Sequence, residues 1–166
     1  MKNLWICWIV SLIITMSASL TNRYVYRVEQ IIKLEFAPSA DSMRTYIEGI
    51  DNSSKEHSYY ILKKNTEIDF IFLSGYTLLT FFSIAILLSV FDVRPSGWVY
   101  VISILPGFFD CLENIVLMSS AIRQREDFSW LYCDIVRIKW AFAIVPFMVI
   151  PIVIIYGSIV LFRSRH

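Results

Sequence analysis

The distribution of charged residues along the chain is the feature that most limits its fold. Four long apolar intervals, at about residues 4–20, 68–91, 98–121 and 138–162, alternate with charged segments. Each is near the roughly 20 residues that an α-helix needs to cross a bilayer core. Only 17% of the residues are charged, against about a quarter in soluble domains. These features predict an all-α integral membrane protein, a four-helix bundle with a helical first loop that forms one domain over residues 1–166.

The first apolar interval has some features of a signal peptide. Lys2 supplies a short positive beginning, and Ser17-Ala18-Ser19 is an acceptable cleavage sequence. The apolar part from Leu4 to Leu20 is longer than the apolar region of a usual signal peptide. We therefore expect this interval to be a retained span.

The first loop contains a short amphipathic pattern, which predicts a helix over about residues 39–50. Its apolar residues recur at i, i+3, i+4 and i+7 and are Met43, Tyr46, Ile47 and Ile50. Ser39 and Asp41 are the candidate N-caps. A helix that lies on the membrane surface or covers the bundle is the simplest interpretation. A lid or a partner-docking element is the alternative.

Three polar residues lie in the middle of the third apolar interval. Asp110, Glu113 and Asn114 fall at i, i+3 and i+4, so they share one face of a helix. An acid inside a hydrocarbon layer is costly, and it normally faces protein or a water-filled cavity and has a partner. The second and fourth intervals begin on the same side of the membrane, which brings further polar residues to a similar depth. The predicted buried polar cluster is Asp69, Asp110, Glu113, Asn114 and Lys139, with Arg137 as the alternative cation.

The residues leave the role of this cluster open. Interhelical polar contacts fix packing in membrane proteins, whereas paired intramembrane acids also serve proton transfer or catalysis. In the second case Asp110 and Glu113 act as acid and base, and Lys139 tunes them. An open cavity lined by the two acids favours an enzyme or carrier, and a closed, paired cluster favours packing. An oligomeric pore lined by the third span is a further possibility.

Several function classes find no support in the chain. The net charge is +1, and no segment combines dense Lys or Arg with interleaved aromatic residues, so we predict no nucleic-acid partner. His57 and His166 have no second His or Cys at ligand spacing, which argues against a metal site. No nucleophile elbow, zinc-protease or phosphate-loop motif occurs. We predict no cofactor, and whether the protein is an enzyme stays open.

The third interval also carries a recognisable pattern, P-x-x-x-D-x-x-E-N. It is formed by Pro106, Asp110, Glu113 and Asn114, and it is accompanied by Asp69-Phe70-Ile71-Phe72, Tyr76 and Lys139. On these residues the chain resembles an uncharacterised family of small bacterial four-span membrane proteins, over roughly residues 39–140. The second interval departs from that pattern because it lacks a proline. The resemblance implies a four-helix integral membrane protein and no particular activity.

These observations lead to an expected function. We expect a small polytopic membrane protein that acts by protein–protein interaction or self-association and uses its buried polar cluster for packing or sensing. Its expected partners are membrane lipids and either another membrane protein or further copies of itself. The alternative is an intramembrane enzyme or proton-coupled carrier that uses the paired carboxylates. The resemblance implies the bacterial inner membrane, and the excess of Lys and Arg in the two larger loops favours the cytoplasm for both.

Overall fold

The structure of the chain is a computed structural model. It describes residues 2–25, 33–37, 39–50, 54–93, 97–123 and 129–164. The described residues form helices joined by turns and contain no strand, so the all-α prediction is confirmed. Residues 33–35 are helical. The longer helices are α1 (Lys2–Val25), α2 (Ala40–Glu48), α3 (Lys55–Val90), α4 (Gly97–Arg123) and α5 (Ser129–Ser164).

Three helices in the described part of the chain are long and apolar enough to cross a membrane. These segments are Lys2–Arg23, Lys55–Val90 and Gly97–Ser120, and they contain most of the first three predicted intervals. The fourth interval, 138–162, lies within α5. Helix α3 has 36 residues, so at about 1.5 Å per residue it is much longer than a hydrocarbon core of about 30 Å. The helix is therefore longer than one crossing requires, and its first turns carry charged residues such as Lys55, Glu56, Lys63 and Lys64.

Serine side chains begin the two helices of the first loop region. Ser39 Oγ accepts a hydrogen bond from the backbone N–H of Ser42 at 3.2 Å, which makes Ser39 the N-cap of α2. Ser54 Oγ accepts one from the backbone N–H of His57 at 3.1 Å and caps α3. Each bond satisfies one of the N–H groups that the first turn of a helix leaves without a partner.

Consecutive long helices pack against each other in antiparallel pairs. Helix α1 packs mainly on α3, where the Trp8 indole N–H donates to Ser83 Oγ at 2.8 Å. At Gly75 the two backbones approach so closely that an added Cβ would lie 2.9 Å from the backbone nitrogen of Thr15. Only glycine permits this approach, as at other close contacts between membrane helices.

The next two helix pairs bring α4 between α3 and α5. Gly107 of α4 faces Thr77 of α3, and an added Cβ would overlap the Thr77 hydroxyl. Phe109 of α4 stacks on Phe142 of α5, with ring centroids 5.3 Å apart. Helix α4 remains helical through Pro106. Asp110 is adjacent to Phe109, so these contacts fix the faces that carry the polar residues.

An apolar core closes one end of this arrangement. Helix α2 lies over it and inserts Met43 and Ile47, both of which are fully buried. The end core draws on residues 33–37 and on four helices, and its buried members are Leu34, Ala37, Met43, Ile47, Tyr59, Leu62, Val116, Leu117, Tyr132, Ile135 and Val136. The apolar face of α2 therefore covers the bundle, and its polar face is left outward.

An exposed ion pair connects the end of α2 to the start of α3. Lys55 Nζ lies 3.0 Å from Glu48 Oε1. The hydrogen bond from Lys55 holds the pKa of the Glu48 carboxyl below its ordinary value, with a smaller contribution from Arg44. Glu48 is thus ionised at neutral pH, although an exposed pair of this kind contributes little stability.

Candidate functional site

One lysine side chain joins three acids in the interior of the protein. Lys139 Nζ of α5 lies 2.6 Å from Glu113 Oε2 and 3.0 Å from Asp110 Oδ1, both on α4. It also lies 3.1 Å from Oε1 of Glu35, which precedes α2 in the chain. We call Lys139, Glu35, Asp110 and Glu113 the ion cluster. A single ammonium group therefore ties three segments of the chain together.

The ion cluster is largely shielded from solvent. The side chains of Glu113 and Lys139 are 4% and 7% exposed, and those of Asp110 and Glu35 are 14% and 19% exposed. Charges this deep are weakly screened, so each contact is strong and each loss of a partner is costly. Three carboxylates against one ammonium leave two negative charges unbalanced if all are ionised. Such a group attracts a second positive charge.

Neutral donors complete the coordination of the deeper acids. The Tyr76 hydroxyl donates to Asp110 Oδ2 at 2.5 Å, and the Tyr132 hydroxyl donates to Glu113 Oε1 at 3.1 Å. Asn114 Nδ2 donates to Asp69 Oδ2 at 2.8 Å, which joins α4 to α3. Five of the six predicted residues therefore make contacts between helices: Lys139 contacts Asp110 and Glu113, and Asn114 contacts Asp69.

Arg137 does not enter the ion cluster. Its side chain is 71% exposed and its guanidinium lies 3.3 Å from Asp134 Oδ1 on the same helix. Lys139 is the cation that contacts the acids of α4, whereas Arg137, the alternative cation named from the sequence, pairs with Asp134. Two positions along a helix are separated by about 200° of rotation, so the two side chains leave α5 on nearly opposite faces.

Three residues of the site were not predicted from the sequence. Glu35 lies in the short helical segment 33–35, and no sequence pattern indicates what this segment packs against, although its apolar neighbours Leu34 and Phe36 distinguish it from a solvated acid. The positions of the two tyrosines could have been predicted from their sequence spacing. Tyr76 lies seven residues after Asp69 and Tyr132 seven residues before Lys139. A spacing of two helical turns places Tyr76 on the same helix face as Asp69 and Tyr132 on the same helix face as Lys139, so both tyrosines face α4, which carries their partners Asp110 and Glu113.

A cavity of about 320 Å³ lies beside the ion cluster. Glu35 is the member of the cluster that reaches it, and neither Asp110 nor Glu113 is among its lining residues. The lining is formed by Glu35, Phe36, Ala37, Cys133, Val136, Arg137 and Trp140. The large exposed fractions of Phe36 and Trp140 show that the cavity opens to the outside. The cluster thus meets a cavity at one edge while its two central acids are enclosed.

Among the residues that the structure describes, no group of three or more His, Cys, Asp or Glu side chains is arranged to hold a metal ion. No protein-family model, no curated protein and no solved structure matches the chain.

Proposed function

We propose that this chain is a four-span membrane protein of the bacterial inner membrane that acts through protein–protein interaction or self-association. In this proposal the ion cluster fixes the packing of its helices and carries out no reaction. The observation that best supports a packing role is the enclosure of Glu113, whose two carboxylate oxygens contact Lys139 and Tyr132. A general acid or base must reach its substrate directly or through one water, and Glu113 does not line the adjacent cavity.

The fourth crossing in this proposal is formed by residues 138–162 of α5. This interval is as apolar as the three candidate spans, and several of its large apolar side chains are exposed, such as Ile144, Met148, Ile152 and Ile155. An exposed apolar surface of this length is stable in lipid and unfavourable in water. The excess of Lys and Arg in the larger loops supports a cytoplasmic position for the covered end.

Helix α1 offers the interaction surface. Only 11% of its most apolar stretch is buried within the chain, against 33% for α3 and 39% for α4. Its uncovered residues include Ile6, Ile9, Ile13 and Met16. Lipid covers such a face by default, so association through it has to be tested directly.

Cysteine crosslinking tests the interaction. In a chain with Cys7, Cys111 and Cys133 replaced by serine, we expect Ile9→Cys to give a crosslinked homodimer or a crosslinked partner in native membranes, measured by gel mobility and mass spectrometry. Ser11→Cys is the matched control, because Ser11 is 2% exposed and faces the protein. A chain that stays monomeric with Ile9→Cys would contradict association through α1.

Glu113→Gln separates packing from chemistry. Glutamine keeps an acceptor for Tyr132 but removes the charge that pairs with Lys139, so we expect a loss of about 1–2 kcal/mol in the free energy of unfolding. Folded yield and the cellular effect of the protein should fall together. Glu67→Gln is the control, since the Glu67 side chain is 40% exposed and pairs with Lys64 at the surface. Normal folded yield with complete loss of the cellular effect would rule out the packing role.

That contrary outcome would favour the second candidate, an intramembrane enzyme or proton-coupled carrier. The excess of carboxylates over ammonium groups in the ion cluster speaks for it, because such a group can take up and release a proton. Glu35 gives the cluster an edge at the cavity, which is where a proton or substrate would enter.

A further inference from the structure

We propose that the cavity beside the ion cluster binds the headgroup of a zwitterionic phospholipid with a primary ammonium group, of the phosphatidylethanolamine class. This inference goes beyond an interaction role and rests on the proposed crossing of the membrane by residues 138–162. The cavity volume of about 320 Å³ is within the range of sites for small molecules, about 300–1,000 Å³. One acid and one base line it, which is the charge pattern complementary to a zwitterion.

Glu35 is the expected partner of the lipid ammonium. Asp110 and Glu113 each receive a tyrosine donor in addition to Lys139. Glu35, by contrast, receives only Lys139 among the residues described by the structure. Its carboxylate is also the most exposed of the three acids. A second ammonium group at Glu35 would offset the unbalanced negative charge of the ion cluster.

Arg137 is the expected partner of the lipid phosphate. It lines the same cavity as Glu35, and guanidinium groups bind phosphate through two parallel hydrogen bonds. Its present partner, Asp134, forms an exposed pair at 3.3 Å. Exposed pairs of this kind contribute little, so a phosphate can replace or join Asp134 at small cost.

The remaining walls suit a lipid at the membrane interface. Phe36 and Trp140 stack with ring centroids 5.6 Å apart, and aromatic rings attract ammonium groups and concentrate at the headgroup level of membranes. Trp140 stands at the beginning of the proposed fourth crossing. The exposed apolar residues that follow it on α5, such as Ile144 and Met148, provide a surface for the acyl chains.

Cys133 reports on the occupancy of the cavity because it is one of the lining residues. The test uses the full chain with Cys7→Ser and Cys111→Ser, placed in vesicles of phosphatidylcholine alone or with added phosphatidylethanolamine or phosphatidylglycerol. The rate of Cys133 alkylation by N-ethylmaleimide is followed by mass spectrometry. Relative to vesicles of phosphatidylcholine alone, we expect added phosphatidylethanolamine to slow the alkylation several-fold and added phosphatidylglycerol to leave the rate nearly unchanged.

Two substitutions locate the headgroup contacts. In Arg137→Gln and in Glu35→Gln the phosphatidylethanolamine content that gives half-maximal protection should rise about tenfold, as expected for one lost charged hydrogen bond. Arg44→Gln, an exposed change on α2 outside the cavity, should leave it unchanged. Arg137 is exposed, so its variant keeps the test valid even if Glu35→Gln fails to fold.

Three outcomes would overturn the proposal. If alkylation is as slow in phosphatidylcholine alone as with added phosphatidylethanolamine, the primary ammonium has no role. If added phosphatidylglycerol slows alkylation more than phosphatidylethanolamine does, the cavity simply attracts anionic lipid. Undiminished protection in Arg137→Gln would remove the phosphate contact. The alkylation does not depend on a protein partner, so this test and the crosslinking of α1 succeed or fail separately.

Discussion

Replacing Lys139 by methionine is expected to lower the free energy of unfolding by about 3–5 kcal/mol, the usual cost of removing one member of a buried ion pair. Methionine matches the length of the lysine stem but supplies no charge and no donor. Three acids would then remain together in the interior with no ammonium group between them. The loss can be measured by denaturant unfolding in micelles and by folded yield in membranes.

Arg137→Gln provides the matched control for this substitution. It also removes a positive charge from α5, only two positions away, but the Arg137 side chain is exposed and its pair with Asp134 lies at the surface. We expect a change within about 0.5 kcal/mol. Equal losses in the two variants would mean that the charge of α5, and not the ion cluster, determines stability.

A double substitution tests whether the loss arises in the ion cluster itself. Once Lys139 is methionine, Glu113→Gln removes an uncompensated negative charge, so it should restore stability where the single change in the native chain reduces it. Directly contacting residues show such couplings, commonly about 0.5–3 kcal/mol. Strict additivity of the two changes would contradict the contact between Lys139 and Glu113.

Shortening Ile47 to alanine is expected to lower the free energy of unfolding by about 2–5 kcal/mol, the range for large-to-small changes in a packed core. Ile47 is fully buried beneath α2 and belongs to the end core that also includes Tyr132. The cavity left by the change would loosen α2 from the bundle. Unfolding measurements and the rate of proteolytic cleavage in α2 both report this.

Tyr46→Ala is the control for this prediction, because Tyr46 is the neighbouring residue and lies at the edge of the apolar face of α2, where 36% of its surface is exposed. It should change the free energy of unfolding by no more than about 0.5 kcal/mol. The comparison separates the two simple interpretations of the amphipathic pattern. A helix that only lies on the membrane surface would lose lipid binding with either change and leave the unfolding of the bundle unaffected.

Local sequence patterns were sufficient for the helices and for part of the site. Helix α2 follows from the spacing of its four apolar residues and from the Ser39 cap, because both signals lie within a few turns. The grouping of Asp110, Glu113 and Asn114 follows from helical periodicity alone. Glu35 was missed because it meets Lys139 across a sequence separation of 104 residues, and no periodic pattern covers that distance.

The amino-acid pattern alone predicted helices, four apolar intervals and polar side chains among them, and three of the intervals coincide with described helices that are apolar enough for a membrane. Periodicity and hydropathy are local properties, and they are readable without a fold. The choice of cation required the packing of the helices, since Lys139 and Arg137 have the same charge and lie only two positions apart on α5. Lys139 lies on the face of α5 that packs on α4, and Arg137 does not, because side chains two positions apart on a helix leave it in nearly opposite directions.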